Sequence, residues 1–176
     1  MTKYIAFLRA VNVGGRVVKM DELKRICALP GLKNISTYIQ SGNVLFESSA
    51  KKEELTKKLE ATLKKKLGYE VLVFLKTEKD IEDIIRKNPF AKTMGDKALY
   101  VTMMSGTVKD ENVKLLEAFR KPGESLHIIG TTAYFLCPQK TYGETKLSNT
   151  AIEKKLKVNA TTRNWATMNK IIGKEV

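Results

Sequence analysis

The residues best suited to chemistry lie at Arg9-Ala10-Val11-Asn12-Val13-Gly14-Gly15-Arg16. They follow a strand-like apolar run, Tyr4 to Leu8, and precede a helix-like run starting near Met20. A Gly-Gly turn between strand and helix lets backbone N–H groups approach a ligand closely. Arg9, Arg16 and Lys19 surround that turn with positive charge. The combination suits an anion such as a phosphate.

Three further segments are polar where packing does not ask for it. They are the hairpin tip Gln40-Ser41-Gly42-Asn43, the stretch from Lys140 to Asn149, and Thr161-Thr162-Arg163-Asn164-Trp165. Ser148 and Thr162 are expected to cap helices whose free N–H groups attract negative charge. Lys146 and Arg163 stand beside those caps, and an arginine there can grip a phosphate or carboxylate with two donors. The candidate ligand-binding set is Arg9, Asn12, Gly14, Gly15, Gln40, Asn43, Lys146, Ser148, Arg163 and Asn164. Cations would neutralise the anion, glycines would offer N–H groups, and amides would orient the rest. Each segment also has a purely structural reading as a cap, a turn or a buried ion pair.

Other chemistries find little support. Ser41 lacks the Gly-x-Ser-x-Gly surroundings of a nucleophile elbow and reads as a turn serine. The single histidine, His127, sits in a strand-like run, so a histidine-rich metal site is excluded by count. Cys27 and Cys137 read as small buried apolar residues of a reducing compartment. Neither a Walker loop nor a Gly-x-Gly-x-x-Gly fingerprint is present. No catalytic residue or cofactor follows from the residues.

Charge sharpens the choice of partner. The net charge is +13 over 176 residues. Residues 1–76 hold fifteen Lys/Arg against seven Asp/Glu, residues 77–125 nine of each, and residues 126–176 eight against three. The basic excess lies toward both ends of the chain. Such a field favours nucleotides, nucleic acid or acidic partners. No apolar run is long enough to span a membrane, and no signal peptide is visible, so a cytoplasmic protein is expected.

The elements that must position these residues follow from periodicity. Lys3–Arg9 is a strand, Met20–Leu29 a helix, Ile35–Gln40 and Asn43–Glu47 a hairpin, and Glu70–Lys76 a strand. Between the last two, Lys51–Leu67 is a helix with Ser49 as cap and a Leu55, Leu59, Leu63, Leu67 stripe. This is the ferredoxin-like order βαββαβ. Beyond a connecting helix, Glu78–Lys87, come the strand Lys97–Met104 and the helix Asp110–Arg120. The hairpin Ser125–Ile129 with Ala133–Cys137 follows, then the helices Leu147–Leu156 and Arg163–Ile172. The fold class is α+β, with a first half over residues 1–77 and a looser βαββα echo over residues 78–176. Strand one is apolar on both faces, so the second half is expected to pack on the first as one body.

The segments Tyr4–Gly15, Lys19–Leu23, Thr37–Val44, Lys146–Asn149 and Thr161–Trp165 resemble the bacterial family known as domain of unknown function 1697. The resemblance spans nearly the whole chain. It implies two α+β halves, the first ferredoxin-like, and supplies no activity, cofactor or catalytic residue. The family usually has Gly where Ala10 stands and often Asn where Ala166 stands.

Three functions compete. The first is binding of an anionic, phosphate-bearing small molecule or nucleotide between the halves. The second is nucleic-acid binding through a basic groove; the strands match RNA-stacking patterns poorly. The third is a structural module with no ligand.

Overall fold

The computed structural model describes residues 1–93, 98–138 and 145–173. The chain divides into two units, Met1–Ile81 and Glu82–Val176.

The first unit contains β1 (Thr2–Leu8), α1 (Met20–Ile26), β2 (Lys33–Tyr38), β3 (Asn43–Ser48), α2 (Lys52–Leu67) and β4 (Val73–Thr77). All strand pairs are antiparallel, and the sheet order is β2-β3-β1-β4. Tyr4, Ala6 and Leu8 of β1 meet Val44 and Phe46 of β3 and Val73 and Leu75 of β4 on one face. Leu23 of α1 and Leu55, Leu59 and Leu63 of α2 close that core, as the four-residue leucine stripe predicts. Ile5, Phe7 and Phe74 of the opposite face are buried too. That burial removes the open aromatic sheet face on which an RNA-recognition fold stacks bases.

The connecting helix α3 (Glu78–Arg86) starts directly from β4. Thr77 and Asp80 cap it reciprocally. The Asp80 N–H donates to Thr77 Oγ1 at 3.1 Å, and the Thr77 N–H donates to Asp80 Oδ2 at 2.9 Å. Burial pushes the Asp80 carboxyl up, but the Thr77 N–H and the Lys52 ammonium outweigh it and hold the group below its ordinary value.

The second unit contains β5 (Ala98–Met104), α4 (Asp110–Glu117), β6 (Ser125–Ile129), β7 (Thr132–Cys137), α5 (Asn149–Leu156), β8 (Ala160–Asn164) and α6 (Trp165–Lys170). Its sheet order, β6-β7-β5-β8, repeats that of the first unit. Tyr100, Met104, Ala133, Phe135 and Cys137 build its core with Leu116 of α4 and Ile152 and Leu156 of α5. The unit is therefore a complete βαββαβ, with β8 supplying the strand that the expected βαββα echo lacked.

Several local expectations are corrected. Residues 160–164 form a strand rather than leading into a helix, and the last helix begins at Trp165, not Arg163. Thr162 is not a cap. It pairs with Thr102 across β5 and β8, with 2.7 Å between the hydroxyl oxygens. Asn164 caps instead, its Oδ1 accepting from the Thr167 N–H at 2.7 Å. The strand carries no apolar alternation in sequence, because Ala160 is its only apolar residue. β-branched threonines supply its pleated surface, and their hydroxyls are satisfied within it. Ser49 is not a cap either; Lys51 occupies the N-cap of α2 without a side-chain bond. The β2–β3 connection is four residues, Ile39 to Gly42, because β2 ends at Tyr38.

Gly42 fixes how closely that connection approaches strand one. It sits at φ +72°, and a Cβ there would lie 3.3 Å from the Cβ atoms of Leu8 and Val11. Its carbonyl accepts from the Leu8 N–H at 2.9 Å. Gly42→Ala is expected to lower the unfolding free energy by about 1–3 kcal/mol, read as an earlier urea midpoint at unchanged slope.

Candidate functional site

The ferredoxin-like order brings three connections to one end of the first sheet. Strand β1 finishes there, and Phe7 faces both Asn43, the first residue of β3, and Phe74 near the start of β4. The loop from residue 9 to 19, the hairpin tip 39–42 and the segment entering β4 therefore converge. The Arg9 N–H donates to the Leu72 carbonyl at 2.9 Å, which ties the loop to that last segment.

Asn12 joins the loop to the hairpin. Its Nδ2 donates to the Gln40 carbonyl at 2.9 Å and to the Val18 carbonyl at 3.2 Å. Its Oδ1 accepts from the Val18 N–H at 2.6 Å. Asn43 does similar work inside the hairpin, donating to the Tyr38 carbonyl at 3.0 Å and to Ser41 Oγ at 2.8 Å. Both amides are thus committed to shaping the backbone, and Ser41 is a turn serine.

The loop needs that restraint. Ala10, Asn12 and Ile39 lie at φ +63°, +58° and +49°, a region that L side chains enter at a cost of about 1–3 kcal/mol each. A glycine at position 10 would adopt this backbone without that strain. Gly14 and Gly15 follow at φ +62° and +82°, exposed and with open space around them. Beside them Arg16 lies over the Tyr69 ring, its guanidinium carbon 4.2 Å from the centroid. Such stacking holds the guanidinium flat and leaves its edge available for an anion. Arg9 is half-buried at the root of the loop, while Lys19 and Gln40 are exposed. Tyr69 was missed in the sequence. The topology could have found it, since the chain entering β4 must return beside the end of β1.

The other two polar segments meet each other within the second unit. Thr162 Oγ1 donates to Asn149 Oδ1 at 2.6 Å, linking β8 to the first turn of α5. Ser148 caps α5 as expected, accepting from the Ala151 N–H at 3.3 Å. Lys146 is exposed, with its ammonium 5.6 Å from the Phe119 ring, and Lys155 approaches the same ring at 4.4 Å. Arg163 is buried in β8, where one guanidinium nitrogen donates to Thr161 Oγ1 and to the Thr162 carbonyl, both at 2.8 Å. Burial pushes it down to about 10, so it stays charged at neutral pH. Lys140 to Glu144 of the third segment lie outside the described residues. In this unit Ser148, Asn164 and Arg163 are thus bonded within the fold.

The remaining reactive side chains fit structural roles. His127 is exposed on β6. Cys27 and Cys137 are buried free thiols, pushed up by burial to about 12 and about 11, so neither is a ready nucleophile. Among the described residues, no cluster of three His, Cys, Asp or Glu could hold a metal. No helix among them is long and apolar enough to cross a membrane.

A family model described as a protein of unknown function, DUF1697, matches residues 1–134. The chain is also similar to a solved structure described as the conserved bacterial protein SP0830 from Streptococcus pneumoniae. The two are 24% identical over 98% of this chain and 97% of that one, with a TM-score of 0.76. None of the curated proteins matches the chain significantly.

Two expectations follow from the loop and the thiols. Asn12→Ala removes the bonds that offset the strained loop and should destabilise by about 2 kcal/mol, whereas Ala10→Gly should gain up to about 1 kcal/mol. Paired urea titrations check both. For Cys27, the folded protein keeps a proton that the unfolded chain releases above 9.0. Stability should therefore fall as pH rises from about 9 to about 12, by about 1.4 kcal/mol per unit for this thiol. Comparing wild type with Cys27→Ala at pH 8 and 10 isolates that share of the decline.

Proposed function

The chain belongs to the DUF1697 family, and from the geometry of its first unit we propose that it binds an anionic, phosphate-bearing small molecule or nucleotide on the loop between β1 and α1. The observation that carries this reading is the Asn12 cross-link. It holds a loop with left-handed residues at Ala10, Asn12, Gly14 and Gly15 against a hairpin with another at Ile39. Backbone strain of this kind persists where surrounding structure enforces it, and it concentrates at binding sites.

The roles divide by what each side chain touches. Gly14 and Gly15 offer exposed backbone N–H groups with no Cβ in the way. Arg16, held on Tyr69, supplies charge at the rim, with Arg9 and Lys19 adding to the local field. Asn12 and Asn43 position the backbone, and Gln40 lends its carbonyl to Asn12 and its exposed side chain to the rim. The reading is one of binding and includes no catalytic step.

A nucleic-acid role has less behind it. On the lysine-rich helix α2, Lys52, Lys58 and Lys64 are paired with Asp80, Glu54 and Glu70 at 3.3, 2.7 and 2.8 Å. Those pairings blunt the field that a basic groove would need.

A thermal-shift panel of inorganic phosphate, pyrophosphate and nucleoside triphosphates, followed by calorimetric titration of the best of them, tests the proposal. Saturable binding is expected, weakened at least about tenfold in Arg16→Ala, which removes a charge-assisted contact. A panel without any stabilising anion, or affinity unchanged in Arg16→Ala, overturns it.

A further inference from the structure

Strand β6 is an edge of the second sheet, and it lacks the lysine, proline and register break that commonly guard an edge. Its register with β7 runs unbroken from Ser125 to Ile129. Its sequence, Ser-Leu-His-Ile-Ile, contains no lysine and no proline. The corresponding edge of the first sheet, β2, has both Lys33 and a register break between Lys33 and Ser36, with Asn34 at φ +51°. Charge and bulges of that kind blunt an edge against further strand pairing. One edge of this molecule is thus guarded and its counterpart is open.

The open edge borders a groove. A cavity of about 400 Å³ lies between α4 and β6. Leu126 and Ile128 point to the α4 side and form its floor with Val108 and Val113, all four only half-buried. Asp110 and Glu117 stand exposed on its rim, an acidic pair in a chain of net charge +13. They lie seven residues apart on one helix, about 10 Å along its axis, with Val113 between them. Alternate residues of an extended strand repeat at about 6.8 Å, so positions one and five of a pentapeptide span about 14 Å. That exceeds the helical separation by about one strand residue, a difference that long basic side chains at those two positions can bridge.

We propose that this groove receives an extended peptide segment of a partner protein, which adds to β6 as a fifth strand of the sheet. Main-chain hydrogen bonds along β6 provide affinity, as in other strand-addition complexes. The segment has the pattern basic-x-apolar-x-basic. Its central apolar side chain covers the Val108, Val113, Leu126 and Ile128 floor, and its two basic side chains meet Asp110 and Glu117. A second copy of this chain is a poorer occupant. Pairing β6 with β6 would bring four carboxylates together, and like charges across an interface oppose association. The proposal is independent of the anion site in the first unit.

The probe is the blocked pentapeptide acetyl-Arg-Thr-Ile-Thr-Arg-amide, with the same peptide carrying Glu in place of Arg as control. Hydrogen exchange of the full chain reads the β6 amides, and calorimetry reads affinity. The expected result is saturable binding with slowed exchange confined to β6. The Glu peptide should bind at least tenfold more weakly, and so should the Arg peptide to Asp110→Lys/Glu117→Lys, whose altered residues are exposed and leave the core intact. Absence of protection on β6 overturns the proposal. Equal affinity for the two peptides does so as well, as does a concentration-dependent dimer already protecting β6 without peptide, which would make a second copy the occupant.

Discussion

The proposed site depends on one side-chain amide. Asn12 uses both of its polar atoms on backbone groups, the Val18 N–H and the carbonyls of Val18 and Gln40. A net hydrogen bond is worth only about 1 kcal/mol, but these bonds act on a loop that would otherwise relax out of its left-handed turns. With them in place, Gly14, Gly15 and Arg16 are presented at the surface in one arrangement rather than many. Preorganisation of that kind raises affinity by reducing the ordering cost at the moment of binding.

The fold provides the frame in which such a small contact can matter. In each unit, antiparallel pairing sets the central strand, β1 or β5, between two partners, so its carboxyl end is a fixed point. In the first unit the 9–19 loop, the hairpin and the entry to β4 all begin from that point, and Arg9, Leu72 and Gly42 are joined there through the backbone. The second unit repeats the topology with a different outcome. Its polar residues are drawn into the fold, with Thr102, Thr162 and Asn149 forming a chain of hydroxyl and amide contacts and Arg163 buried beside Thr161. The same order of elements thus leaves one unit with an exposed basic loop and the other with an unguarded sheet edge.

Much of this was legible from residue patterns. The leucine spacing of α2, the two-sided apolar run of β1 and the βαββαβ order of the first unit stand as the residue patterns specify them, while α1, expected over Met20–Leu29, stops at Ile26. The family resemblance likewise anticipated the α+β halves. What periodicity could not reveal was β8, whose Thr-Thr-Arg-Asn run has no apolar alternation and is a strand through pairing with β5. The roles of individual polar residues were harder still. Asn12 and Arg163 look alike as candidate ligand groups in a sequence. Only geometry separates an amide that shapes an exposed loop from a guanidinium buried among threonines. The stacking of Arg16 on Tyr69 joins residues distant in sequence, so it became readable only once the chain order had been turned into a sheet order.

Nuclear magnetic resonance of the backbone amides during a pyrophosphate titration tests the central claim most directly, because it reports on Gly14 and Gly15 themselves. The account predicts saturable shifts concentrated at residues 9–19 and 39–43, with saturation moved to at least about tenfold higher pyrophosphate in Arg16→Ala. Shifts that grow without saturation and are spread over the exposed lysines of α2, with Gly14 and Gly15 unmoved, would contradict it.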